Sequence, residues 1–386
     1  MPGDMSVLSS SQSGQWATRV ITPICGRLTF ALPGHDTHAR TIAVHHLSKI
    51  GWILCVSLVA GLTARAIAAG SGASNPSKGF LLVANKGDDT LSVVDVNLGI
   101  QVAVVQEGAT TGHEVAASPD GKRAFVPIYG SGGVGKAGTD GRLIRVVDLR
   151  KCEVVGTVDF GKRMRPHRPV FGPKDGLLYV TTELDNSVTI IDPRTLRIVG
   201  SIPTGSRQSH MLAISSDGLR GYTANVDPGS VSVLNLESRK LITTIPVATI
   251  AQRIALSADD RLAFTADQTK LRLVVIDTGT NTVSGSIPLP GLGYGTAPTP
   301  DGRSLIVALP AVGMVGLVDL ATMSVVRTLN VPKAPQEVLV RPDGAVAYVS
   351  CDASGKIAVI DVNNWRLERL IAVGPMDDGL AWARLN

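Results

Sequence analysis

The sequence has little of what most protein classes depend on. Charged residues make up only 18% of its 386 positions and aromatic residues 4%, and a coiled coil or a solvating disordered tail needs far more charge than that. There are four cysteines and no Cys-x-x-Cys pair, which argues against a disulfide-packed mini-protein or a cysteine zinc site. The net charge of +5 suggests nucleic acid until it is divided by position. Arg19, Arg27, Arg40, Lys49 and Arg65 face only Asp4 and Asp36 in the first 69 residues, leaving 32 basic and 30 acidic residues beyond them. A body so close to neutral carries no electrostatic footprint for DNA or RNA.

Long hydrophobic runs are also scarce. The one candidate, residues 50–62, is shorter than the roughly 20 apolar residues a spanning helix needs, and Arg65 ends it. Arg40 and Lys49 precede it, and an Ala66-x-Ala68 pair follows. Basic flank, short apolar core and small residues together read as a secretory signal peptide. The expected division is a leader over 1–69, a short linker over 70–78 and the working domain over 79–386, exported to the periplasm or beyond, with no membrane span kept after cleavage. A translation start near Val44 would place the signal at its usual distance from the initiator. Cys25 and Cys55 fall in the leader, and Cys152 and Cys351, at non-equivalent positions, read as structural residues.

What is abundant is turn chemistry, with 41 Gly and 22 Pro, and it is periodic. A Pro-Asp-Gly signal or a variant of it is centred on Lys78, Asp120, Asp175, Asp217, Asp259, Asp301 and Asp343, at intervals of 42 residues except for one of 55. Two apolar residues followed by Asp or Asn recur at Asp95, Asp148, Asp192, Asn235, Asp277, Asp319 and Asp361. Two independent markers in seven copies define seven units. Within a unit the apolar period is two, in short β-branched runs bounded by Gly, Pro, Asn or Asp, and no segment offers an amphipathic helix. The fold class is therefore all-β: a seven-bladed β-propeller with four antiparallel strands per blade. The first unit begins with a second strand, and the chain ends with a first strand around Asp378. The C-terminal strand is thus expected to close the first blade and remove an exposed edge.

The segments Tyr179-Val180-Thr181-Thr182, Tyr348-Val349-Ser350-Cys351, Tyr222-Thr223-Ala224-Asn225 and Leu82-Val83-Ala84-Asn85 resemble the YVTN-type β-propeller repeat family of exported bacterial proteins. The resemblance covers 79–386 and implies the propeller fold. For activity it implies only a range, because surface-layer repeats, amine dehydrogenase heavy chains and lactonase-like propellers are all similar in this respect. The chain departs from the repeat in its fifth unit, at Phe264-Thr265-Ala266-Asp267, and in its second, where a glycine-rich insert over 130–141 enters. Gly130, Gly135 and Lys136 in that insert have the spacing of a phosphate loop. Ala137 stands where a magnesium-binding hydroxyl belongs, however, and no helix can follow; the insert is expected to be a flexible surface loop.

Aligning the units on the Asp-Gly turn brings the chemistry together. Outside the leader there are three histidines, His113, His167 and His210, all at the start of an innermost strand. Gln252, Tyr294, Gln336 and, in the closing strand, Asp378 occupy the same place in the other units. In ring order this gives Asp378, His113, His167, His210, Gln252, Tyr294 and Gln336 around one channel mouth. Imidazoles beside a carboxylate suit a transition metal, and Zn, Cu or Fe held by His113, His167, His210 and Asp378 is the candidate cofactor. The competing reading is polar lining of the mouth. Arg165, Arg168, Arg207 and Arg253 crowd the same edge and, with Gln252, Tyr294 and Gln336, form a candidate site for a small anionic ligand. A monomeric binding module, with a protein partner or small ligand at this mouth, is the function expected first. A metal-assisted hydrolase with Asp377, Asp378 or Glu114 as base, or a propeller subunit of a periplasmic redox enzyme like the amine dehydrogenase heavy chains, is the alternative.

Overall fold

The computed structural model describes residues 78–108 and 110–385, so the expected leader and nearly all of the linker lie outside the described residues. Twenty-eight strands, from β1 (Gly79–Asn85) to β28 (Asp377–Arg384), form seven separate four-stranded antiparallel sheets. The seven-bladed propeller is borne out. Among the described residues no helix is long and apolar enough to cross a membrane.

The two recurrent markers are turns, and their side chains explain why. At the first, Ser118 Oγ donates to Asp120 and accepts from the Arg123 amide, while the Asp120 carboxylate also takes the Lys122 amide. Gly121 follows in the left-handed region at φ 67°, which an L side chain rarely adopts. The same arrangement recurs at Ser215 and Asp217, at Ser257 and Asp259, and at Thr299 and Asp301. Where the fifth unit has Asp260 instead of glycine, the residue still adopts φ 59°, and its carboxylate receives the Ser216 amide and hydroxyl of the preceding blade. The second marker caps the turn between the third and fourth strands, as Asp95 does by accepting the Asn97 and Leu98 amides.

Burial follows position in the blade. Strand β1 is buried along its whole length, whereas the outer strand β3 (Ile100–Gln106) alternates exposed residues with half-buried or buried ones. Middle strands lie between two neighbouring blades, so both of their faces are apolar. The core is accordingly divided into seven apolar layers, each between adjacent blades. Leu82 and Val93 of the first blade pack with Val126 and Val147 of the second, and Tyr222 and Val233 of the fourth pack with Leu256 and Ile276 of the fifth. The ring closes between the seventh blade and the first, where Tyr348 and Val359 meet Leu81, Val94 and Leu380.

Closure follows the expected route. Strand β28 pairs antiparallel with β1, Leu82 opposite Ala381 and Val83 opposite Leu380, so the first blade has the order β28-β1-β2-β3, with β2 spanning Thr90–Asp95. Cys351 is a buried free thiol whose pKa burial pushes up to about 12, the state of an inert structural cysteine.

Because Leu380 of the terminal strand is buried in the apolar layer between the seventh blade and the first, Leu380→Ala should cost about 2–5 kcal/mol by chemical denaturation. Ending the chain at Met376 should expose the β1 edge and produce an associating or unfolded protein. A truncated chain that unfolds at the same denaturant midpoint as the full one would contradict closure by β28.

Candidate functional site

Each innermost strand starts with an irregularity that decides what faces the axis. In β8 (Pro166–Phe171), Pro166 pairs with Thr182 and Pro169 with Val180, so His167 and Arg168 together oppose Thr181. In β24 (Pro335–Val340), Gln336 and Glu337 oppose Ser350 in the same way. Register shifts fall at the same place in β12 (Ser209–Ile214) and β16 (Ala251–Leu256). A bulge of this kind re-aims side chains next to the break. The opposing hydroxyls stabilise it: Thr181 accepts the Arg168 amide and donates to the His210 carbonyl, Thr265 donates to the Arg253 carbonyl, and Ser350 accepts the Glu337 amide.

The hub is therefore built from two adjacent rings. The first is the one read from the sequence, and it brings the three histidines together. The His167 and His210 rings lie 3.7 Å apart between centroids and His113 is 5.6 Å from His167. Tyr129, near the end of β5 (Arg123–Gly130), packs 4.6 Å from His113 and 5.1 Å from His167. Burial holds all three imidazoles neutral. The His113 pKa falls to about 4. Those of His167 and His210 lie well below the ordinary value, lowered further by the neighbouring imidazoles and by Arg253.

The second ring, one residue further in, carries Glu114, Arg168, Met211, Arg253, Gly295, Glu337 and Gly379. Arg253 sits at its centre and is only 2% exposed. Its guanidinium reaches Glu114 at 2.5 Å, Glu337 at 2.6 Å and Asp378 at 2.8 Å, and it stacks 4.7 Å above the Tyr294 ring. Arg168 joins Glu114 and Glu337 from the other side. Lys86, at the end of the neighbouring strand, pairs with Asp378 at 3.1 Å and Asp352 at 2.9 Å. Gly379 and Gly295 complete the ring where no side chain fits. A Cβ on Gly379 would meet the Glu114 backbone at 2.6 Å, and one on Gly295 would meet the Gln336 carbonyl at 2.1 Å.

These pairings sort the expected site residues. Asp378 stands beside the histidines, but its oxygens are engaged by Lys86 and Arg253, which hold its carboxyl well below the usual range despite burial. The His167 and His210 rings lie 3.7 Å apart between centroids and are tilted by 32° to one another. Among the described residues no group of three or more His, Cys, Asp or Glu side chains is disposed to hold a metal ion. Arg253 and Arg168 lie in the hub as ion-paired groups below the mouth. Arg165 is anchored by Asp140 and Glu183, and Arg207 is an exposed rim residue paired with Asp227. Gln336 is half-buried, its carbonyl accepting the Gly295 amide. Of the carboxyls expected as a base, Glu114 is pushed up to about 7 by burial, against the pull of Arg253 and Arg168. Asp377 is also raised to about 7 by burial and accepts the Cys351 amide.

The glycine-rich insert is the surface loop between two strands that was expected, most of its residues exposed, and hydrogen bonds tie it to the domain. Between β5 and β6 (Asp140–Asp148) it folds onto the hub face, where buried Arg165 donates to the Gly133 and Lys136 carbonyls and Glu183 accepts from the Gly135 amide and the Tyr129 hydroxyl. Lys86, Tyr129 and Glu183 lie on second strands or connections that carry no repeat marker. Glu114 and Glu337 were legible one position beyond the histidine ring.

Polar side chains from all seven blades meet in the hub, and solved structures match the propeller fold. The chain is similar to Kuenenia stuttgartiensis hydrazine synthase at 18% identity and TM-score 0.65, covering 75% of this chain and 94% of that one. A functionally unknown protein from Desulfotomaculum acetoxidans aligns at 14% identity and TM-score 0.65 over 80% of this chain and all of that one. Dihydro-heme d1 dehydrogenase NirN, solved in complex with DHE, aligns at 14% identity and TM-score 0.58 over 80% of this chain and 75% of that one. At such identities the likeness establishes the propeller fold. No protein-family profile matches the chain, and no curated protein sequence matches it.

The low imidazole pKa values have a definite sign for stability. Between the unfolded value near 6.5 and the depressed folded value, the unfolded chain binds the extra proton, so stability is lost as pH falls through that window. Carboxyls raised to about 7, such as Glu107, act oppositely as pH rises from 4.5. The comparison with His210→Gln isolates the imidazole: the wild type should lose stability relative to the variant as pH falls from 6.5 to 4.5 in urea melts. Identical pH slopes would contradict a buried neutral His210.

Proposed function

We propose that this chain is a binding propeller that holds a small polar ligand, or a polar group of a protein partner, at the histidine face of its hub. One observation carries the reading. Three consecutive blades each present a buried polar atom without a hydrogen-bond partner at the same ring position: His167 Nδ1, His210 Nδ1 and Gln252 Oε1. Buried polar groups in native proteins are nearly always satisfied, and each orphan costs about 1–3 kcal/mol. Three together on one wall are what a ligand offering both donors and acceptors would satisfy.

The second reading is a transition metal, Zn, Cu or Fe, on His113, His167 and His210. It is favoured by the neutral state of the imidazoles, the form that ligates, and requires the three side chains to converge, since as described they form no metal-holding group. A hydrolase or redox-subunit role would follow only from that occupancy. Export to the periplasm or beyond, and membership of the YVTN-type repeat family, remain parts of this proposal that rest on the leader and repeat patterns.

The test is a thermal-shift and calorimetric screen of the mature protein with phosphate, citrate and neutral polyols, beside metal analysis after incubation with Zn or Cu and dialysis. A ligand at 100 times its Kd should stabilise the protein by about 2.7 kcal/mol, and His167→Ala should remove most of that gain. Retained metal lost in the same variant would select the second reading. A wild type that binds none of these, with His167→Ala indistinguishable from it, would contradict both.

A further inference from the structure

The inner strands run from the histidine face to the Asp-Gly turns, and the second compartment of the hub opens at that opposite end. It is a cavity of about 490 Å³, within the roughly 300–1,000 Å³ range of small-molecule sites. Its walls are apolar and come from four consecutive blades: Leu212 and Ile214, Ile254 and Leu256, Ala297 and Pro298, Val338 and Val340, with Ser216, Ser257 and Asp260 at the entrance. Its floor is charged, formed by Arg168, Arg253 and Glu337. The ionic ring thus separates this funnel from the histidine compartment.

The floor is not fully satisfied. The Nε donors of Arg168 and Arg253 are buried without acceptors, and Thr296 Oγ1 on the wall also lacks a partner. Arg253 is 2% exposed, so its unpaired donor cannot be answered by bulk water. Glu114 meets Arg168 of β8, Arg253 of β16, Glu337 of β24 and Asp378 of β28; below pH 7 it keeps its proton. Both guanidiniums share Glu337, and Arg253 shares Asp378 with Lys86.

We propose that this funnel binds a linear aliphatic monocarboxylate, tail against the apolar wall and carboxylate on the guanidinium floor. A neutral alcohol of equal length offers one uncharged acceptor oxygen where a carboxylate offers two charged ones, and an ammonium offers the two donors no acceptor. Because guanidinium forks match carboxylate geometry, recognition should lie in the head group and affinity should grow with the tail.

The experiment is calorimetry of the mature protein at pH 6 with octanoate, octan-1-ol and octylamine, on the wild type, Arg168→Gln and Ala213→Phe. Ala213 is a half-buried wall residue, so its enlargement narrows the funnel without touching the ion pairs. Octanoate should bind at least tenfold more tightly than octanol, with octylamine weakest. Arg168→Gln should erase the advantage over octanol, and Ala213→Phe should weaken both ligands at least tenfold. Octanol or octylamine binding as well as octanoate, no octanoate binding at all, or unchanged affinity in Ala213→Phe would each overturn the proposal.

Discussion

Arg253 reaches across the axis from the fifth blade and holds carboxylates of the second, seventh and first blades, Glu114, Glu337 and Asp378, in one ion-paired cluster. No other side chain described in the hub joins so many blades. A buried cluster of this kind is not a large net source of stability, because desolvation offsets most of the Coulombic gain. What it does is set geometry. Removing the guanidinium would leave three buried acidic groups facing one another, a loss of about 3–5 kcal/mol for such a broken pair, so the blades are held at a fixed spacing around it. It also divides the axis into two chemically different compartments, one lined by neutral imidazoles and the other by aliphatic side chains.

That division depends on the ring closing first. Asp378 becomes a neighbour of Lys86 and of the histidines only because β28 pairs with β1, and Gly379 passes close enough to donate its amide to the His113 carbonyl. The seven interblade layers supply the apolar burial that the charged hub lacks. Specificity of arrangement at the axis and stability between the blades are thus carried by different residues of the same strands.

Much of this was readable in the chain. Turn markers at 42-residue intervals determine the number of blades, the incomplete first and last units foretell closure, and alignment on the turn places His113, His167 and His210 side by side. The ion-paired ring was less legible for a definite reason. The bulge at Arg168 and Glu337 breaks the strict alternation on which strand reading relies, so the residue beside each histidine position also turns to the axis. The same break explains why Arg168 and Arg253 are hub residues facing the apolar funnel, although their spacing groups them with the rim. Contacts between segments far apart in sequence, such as Tyr129 with Glu183 or Lys86 with Asp352, follow no local period and were not available before the fold.

The central claim is that unsatisfied polar atoms on three consecutive blades mark an occupied position in the working protein. High-resolution diffraction from the protein, purified without added ligands and then with the best binder from the screen, tests it most directly. The account predicts continuous difference density within hydrogen-bond distance of His167, His210 and Gln252, fitted by a ligand or by a fixed water group that the ligand displaces. A hub in which those three side chains turn to satisfy one another, with no density between them in either crystal, would contradict it.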